Sequence, residues 1–142
     1  MELSTALDFA RTNKHGVLVT LKRDGKPQLS NILYSVSDDG AAQISITATR
    51  AKYHNLARDP WAALHITRDD FYAYAVLEGE VEMSAIAGAP DDDAVEALVT
   101  WYRTAAGEHP DWDEFRRAMV DEKRVLVTFR PTRAYGMLQL PR

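Results

Sequence analysis

The sequence contains no cysteine in its 142 residues. Disulfides, iron–sulfur clusters, thiolate zinc sites and thiol nucleophiles are excluded, and the absence fits a reducing cytosol. No apolar run approaches the roughly 20 residues that a membrane helix needs. The first segment, Met1 to Arg11, carries Glu2 and Asp8 and no cleavage-site pattern, so it is not read as a secretory signal. A cytoplasmic protein with no membrane partner is expected. Positive charge is also in deficit: 17 Lys and Arg stand against 21 Asp and Glu, a formal charge of −4. Nucleic acid is therefore not an expected partner, because affinity for phosphate backbones needs clustered cations. The 4 histidines, His15, His54, His65 and His109, form no His-x-His or His-Glu-x-x-His pattern, and no metal site is expected. Asp91-Asp92-Asp93 lacks the alternation and terminal Glu of a calcium loop and reads as an acidic helix start. No serine stands in a Gly-x-Ser-x-Gly elbow. No catalytic side-chain constellation is expected.

What remains is an ordinary globular composition, 46% hydrophobic and 27% charged, in a length that suits one domain over residues 1–142. Leu3, Ala6, Leu7 and Ala10 lie at helical spacing and predict a helix over about residues 2–12. Gly16 to Leu21 is a β-branched apolar run, and Asp24-Gly25 is a hairpin signal. Pro27 to Val36 reads as the return strand. Gln43 to Thr47 alternates as a half-buried strand does. Thr49 is positioned to cap a helix over about residues 50–58, which Asp59-Pro60 would stop. Ala62 to Ile66 and Tyr72 to Met83 read as strands, with Gly79 marking a bulge or bend. Helices follow after Asp91-Asp92-Asp93, ended by Gly107, and after Asp111 with Glu114 three residues on. Lys123 to Phe129 is a further strand; Pro131 interrupts it, and Ala134 to Leu140 adds a last one. The pattern predicts a mainly β (α+β) fold: a six- or seven-stranded antiparallel barrel with three or four helices outside it.

Three stretches could carry chemistry. In Thr47 to Leu56 a strand leads straight into a short helix whose first turn holds Arg50 and Lys52. Cations there oppose the helix dipole at a cost of about 0.3–1 kcal/mol each. A bound phosphate or carboxylate would reverse that cost and use the unpaired backbone N–H groups, with Thr47 and Thr49 as hydroxyl donors. A solvated basic turn paired to Asp69 or Asp70 is the alternative. In Pro27 to Ile32, Gln28 and Ser30 share one strand face and Leu29 and Asn31 the other. A central Asn31 needs a partner, which either a ligand or a bond within the sheet would supply. In Phe71 to Val76, Tyr72 and Tyr74 point one way with Ala73 and Ala75 opposite. The phenols could cover a planar ring, or could belong to the core or to a dimer interface.

Taken in order, a set of motifs resembles a known family. They are Gly16-Val17-Leu18-Val19-Thr20, Asp24-Gly25-Lys26-Pro27-Gln28-Leu29-Ser30-Asn31, Arg50-Ala51-Lys52 with Asn55-Leu56 and Arg58-Asp59-Pro60, and Tyr74-Ala75-Val76 with Glu78-Gly79. Tyr102-Arg103, Ala106-Gly107-Glu108-His109, Asp111-Trp112, Arg124-Val125-Leu126 and Tyr135-Gly136 continue the series. The resemblance is to the flavin-binding split-barrel superfamily typified by pyridoxamine 5′-phosphate oxidase, and within it to the actinobacterial deazaflavin (coenzyme F-420)-dependent oxidoreductases. It implies a homodimer with cofactor grooves at the subunit interface and hydride transfer from reduced deazaflavin to a conjugated small-molecule acceptor. It places the cofactor phosphate on Arg50 and Lys52, ring-lining positions on Gln28, Ser30, Asn31, Ile46 and Thr47, the cofactor chain on Asn55, and Tyr72 and Tyr74 in the partner's groove. Such enzymes need few protein acids or bases, because the cofactor supplies the hydride. An FMN-dependent oxidase or reductase, or a non-catalytic flavin- or haem-binding protein, are the other readings of the same barrel. The run Gly136 to Arg142 lacks the Arg-Leu segment with which longer pyridoxamine phosphate oxidases grip their substrate phosphate, so pyridoxal phosphate synthesis is not expected.

Overall fold

The structure, a computed structural model, describes residues 1–139. Six strands and four helices follow one another as α1 (Leu3–Arg11), β1 (His15–Leu21), β2 (Pro27–Val36), β3 (Ala42–Thr47), α2 (Ala51–Arg58), β4 (Trp61–Thr67), β5 (Tyr74–Met83), α3 (Asp93–Ala106), α4 (Trp112–Asp121) and β6 (Arg124–Met137). The strands close into an antiparallel barrel in the order β1-β2-β3-β6-β5-β4. Gly25, at φ 83°, takes the turn between β1 and β2 in a backbone conformation that a side chain would resist. Alternate residues Leu18, Tyr34, Ile44, Ile46, Leu64, Ile66, Leu77, Val125, Val127 and Phe129 fill the interior. Helix α1 plugs one end with Ala6 and Ala10, and the buried Tyr34 hydroxyl donates to the Ala10 carbonyl at 2.7 Å. A second cluster, built on Val95, Leu98, Trp101, Phe115 and Met119, packs α3 and α4 outside the barrel over Leu126. Among the described residues no helix is long and apolar enough to cross a membrane.

Three expectations are corrected. Pro131 does not end a strand: β6 runs through it as one element, and Ala134 to Leu140 is not a seventh strand, Leu140 itself lying outside the described residues. The register with β5 shifts between Glu78 and Gly79, with Gly79 opposite Pro131. A bulge absorbs the missing proline N–H, and a Cβ on Gly79 would run into the Arg130 carbonyl. Second, Thr49 does not cap α2. Arg50 occupies that position with extended backbone and no side-chain cap bond. Third, β5 begins at Tyr74, not Tyr72. The Arg68 guanidinium forks onto Asp70, whose Oδ1 accepts the Tyr72 N–H, and Phe71 is held at φ 71°, so the chain turns before the strand starts. Ala73 and Ala75 are buried in this chain.

Candidate functional site

The barrel has a seam. Residues 27–33 of β2 pair with β1, and only Tyr34, Ser35 and Val36 pair with β3. On the N-terminal side of Tyr34, β2 parts from β3, which continues along β6 to the pair Thr47–Arg124. The wedge between the parting strands is a cleft of about 370 Å³. Asn31, Ile32 and Leu33 of β2 form one wall, Ser45 of β3 and Arg124 of β6 the other. Lys52 enters from the first turn of α2, and Tyr102 and Phe115 close the outer side from α3 and α4.

Charge is concentrated here without compensation for Lys52. Burial, and then the neighbouring Arg50 and Arg124 guanidinium groups, hold its ammonium below the ordinary lysine range. Among the described residues no carboxylate lies within ion-pair distance of Arg50 or Lys52. Asp70 is engaged by Arg68 at 2.8 Å, so it does not neutralise the basic turn. Arg124 is half-buried. Its Nη2 meets Glu122 at 2.9 Å and its Nη1 is 3.5 Å from the Ser45 carbonyl. Its Nε–H is buried with no hydrogen-bond partner. A buried orphan donor costs about 1–3 kcal/mol. The α2 N-terminus adds a further positive end, with no acidic residue in its first turn. The donor set of the cleft fits a phosphate or carboxylate.

The expected residues fall into separate groups. Lys52 and Asn31 line the cleft, and Thr47 stands half-buried opposite Arg124. Asn31 is exposed on the outer face of β2, so it needs no partner within the sheet. Arg50 and Thr49 adjoin the cleft at the start of α2, Arg50 exposed and Thr49 on the turn before it. Gln28 and Ser30 are half-buried on the inward face of β2. Asn55 is buried, and its Nδ2 donates to Thr20 Oγ1 at 3.1 Å and Gln28 Oε1 at 2.9 Å while its Oδ1 accepts from Arg58 at 3.0 Å. The amide nitrogen thereby fixes α2 to β1 and β2, and the oxygen is taken by Arg58 of the same helix. Ile46 is wholly buried among the barrel's core residues, so its side chain lines no groove. Tyr72 is exposed in the turn before β5, and Tyr74 stands beside His65 with ring centroids 5.6 Å apart. Reasoning from the sequence misses Arg124 and Ser45 as site residues. Their signal is pairing across the sheet between distant segments, which local spacing does not carry.

A second cleft of about 520 Å³ adjoins the first and shares Asn31, Ile32 and Leu33 with it. Its other side is formed by His15 and Val17 of β1 and by His65 and Thr67 of β4. The two clefts thus lie on either side of Asn31, Ile32 and Leu33.

A family model described as pyridoxamine 5′-phosphate oxidase matches residues 4–138. Among solved structures, a conserved hypothetical protein from Mycobacterium tuberculosis is 26% identical with a TM-score of 0.74, over 96% of this chain and 84% of that one. An F-420 reductase is 25% identical with a TM-score of 0.62, over 86% of this chain and 89% of that one. The haem storage protein of Vibrio cholerae is 14% identical with a TM-score of 0.69, over 96% of each chain. At that identity the likeness is one of fold.

Proposed function

This chain belongs to the pyridoxamine 5′-phosphate oxidase family, and from that premise we propose that it is a coenzyme F-420-dependent oxidoreductase. The observation that carries the reading is the convergence of Lys52 and Arg124 on one cleft, with a buried Nε–H unused and no carboxylate facing the ammonium. That donor set suits the anionic end of a cofactor, and the likeness to an F-420 reductase favours deazaflavin. Bound there, coenzyme F-420 supplies a hydride for a conjugated small-molecule acceptor. The protein's own part is positional. Lys52, Arg124 and the exposed Arg50 hold the anion, Thr47 and Asn31 flank its path, and the wall from α3 and α4 excludes water. Asn55 acts indirectly by holding α2, and hence Lys52, against the barrel.

The same reading includes a homodimer. One register row of outward residues, Asn31–Val17–His65–Val76–Tyr135, crosses five strands and is mostly apolar. Its member Tyr135 stands exposed, as do Leu29 and Met137 on the neighbouring rows. A second copy on this face would roof the second cleft and bring its Tyr72 near the groove.

Titration of the purified protein with F-420, FMN and haem, followed by absorbance and fluorescence, tests the cofactor. Saturable binding of F-420 with oxidation of its reduced form by menadione is expected. Tight FMN binding with turnover on reduced FMN alone would move the protein to the flavin oxidases. Haem binding without turnover on either reduced cofactor would make it a carrier.

A further inference from the structure

Five lysines stand in the chain. Lys14, Lys22, Lys26 and Lys123 are exposed, and Lys52 alone is half-buried, where it lines the cleft between β2 and β3. Arg124 lines the same cleft and carries a buried Nε–H that no acceptor takes. No carboxylate of the described residues pairs with Lys52. Burial first, then the Arg50 and Arg124 charges, hold its ammonium below the ordinary lysine range, which leaves more of it as free amine near neutral pH. The amine, not the ammonium, is a nucleophile, and desolvation beside other cations is what turns a lysine into one. An anion anchor works best fully protonated, and an arginine would stay so. A lysine in this place is an anchor that can also react.

We propose that Lys52 is a modification site for small acyl phosphates, Arg124 holding the phosphoryl group while the Lys52 amine takes the acyl group. The phosphoryl dianion of such a compound is an anion for which the cleft has donors: the Arg124 Nε–H, the nearby Arg50, and the backbone N–H groups at the uncapped start of α2. Its carbonyl carbon is one oxygen away from phosphorus, so an amine beside a phosphate site meets it without further contacts. Ile32, Leu33 and Met119 offer a short acyl chain an apolar wall. The amine nitrogen forms an amide bond to the carbonyl carbon, and the bond from that carbon to the phosphate oxygen breaks. Inorganic phosphate leaves with the electron pair and takes the proton that the amine gives up; nothing is oxidised or reduced. A neutral amide then stands in place of a cation. The consequence of that change rests on the cofactor reading above: an acylated Lys52 no longer holds the cofactor's anion, and bound F-420 shields the amine. Acylation and cofactor binding thus exclude each other at one atom, Nζ.

The test treats the purified protein, without cofactor, with acetyl phosphate and follows acetylation at each lysine by peptide mass spectrometry. Lys52 should react at least about tenfold faster than any exposed lysine, the effect of one charge-assisted contact to the phosphate. Inorganic phosphate should slow Lys52 and leave the others unchanged. Arg124→Gln should remove most of the advantage, and the uncharged N-hydroxysuccinimidyl acetate should show little of it on the parent. Lys52 reacting no faster than the exposed lysines would overturn the proposal. So would an advantage that survives in the presence of phosphate or with the uncharged ester. A second arm measures F-420 affinity before and after acetyl phosphate. The parent should lose about tenfold or more, whereas Lys52→Arg, a cation without a nucleophile, should lose nothing further on treatment. An equal loss in both would place the effect at another lysine and overturn the exclusion at Nζ. Failure of the untreated parent to bind F-420 would instead overturn the cofactor reading, and the acetylation rates would still decide the modification site.

Discussion

Lys52 carries its charge where charges are penalised, half-buried and beside two guanidinium groups. A lysine whose folded pKa lies below its unfolded value binds fewer protons folded than unfolded between the two. Stability therefore rises with pH through that window, and the charged form costs stability below it. A bound anion reverses the sign locally. We expect Lys52→Ala and Arg124→Gln each to weaken F-420 binding by roughly 10- to 150-fold, the worth of one charge-assisted bond. Thermal melts should be unchanged or raised for Lys52→Ala. Binding should also fall off on the alkaline side earlier than an ordinary lysine near 10.5 would dictate, as titrations across pH will show. Arg50→Ala, at an exposed position, should have the smaller effect. Asn55 belongs to the opposite class. Replacing it by Ala leaves Thr20 and Gln28 without their donor and Arg58 with only the Leu21 carbonyl as acceptor. A loss of about 1–3 kcal/mol in urea unfolding is expected, with weaker cofactor binding following from a loosened α2.

Among the elements, those with local signals are legible in the amino-acid order alone. The Asp24-Gly25 hairpin, the return strand Pro27–Val36, and the caps Asp92 and Asp111 of α3 and α4 all follow from chemistry within a few residues. Gly79 also announces its bend. The strand that needs it is not legible, because Pro131 breaks a strand only where the partner expects its N–H, and the partner there is a glycine bulge more than fifty residues away. Tyr72 alternates like a residue of β5, since alternation is blind to the Arg68–Asp70 fork that turns the chain first. Ile46 is the opposite case: its alternation with Ser45 and Thr47 points it inward with Ile44, against the groove position that family resemblance implies. The basic turn is recognisable by its conflict with the helix dipole, whereas Arg124 is recognisable only through its pairing with Thr47. The β5–β6 bulge gives a direct test. A methyl at Gly79 meets backbone on both Arg130 and Pro131, which cannot retreat as a side chain would. Gly79→Ala should destabilise by more than about 3 kcal/mol, at the upper end for one substitution, measured by urea unfolding. Gly88→Ala, where a methyl would make only ordinary van der Waals contacts, should be near neutral.

At the scale of the whole molecule, the barrel buries its core on one side of each strand and leaves single large apolar side chains exposed on the outward face. Leu29 is 62% exposed and Tyr135 52%. A dimer is the expected state at micromolar concentration, and Leu29→Lys with Tyr135→Lys should shift sedimentation toward monomer and weaken F-420 binding together. A stable monomer of the parent chain with full cofactor affinity would break that link. The closure of the barrel has a different consequence. Strand β6 pairs with both β3 and β5 and is made after both of them. During synthesis at about 5–20 residues per second, all of α3 and α4 must be translated while β3 and β5 wait with their backbone edges open. Nascent chains thus emerge from the ribosome with two unsatisfied sheet edges for several seconds, and it is in that interval, rather than in the finished protein, that this fold is most exposed to pairing with the wrong neighbour.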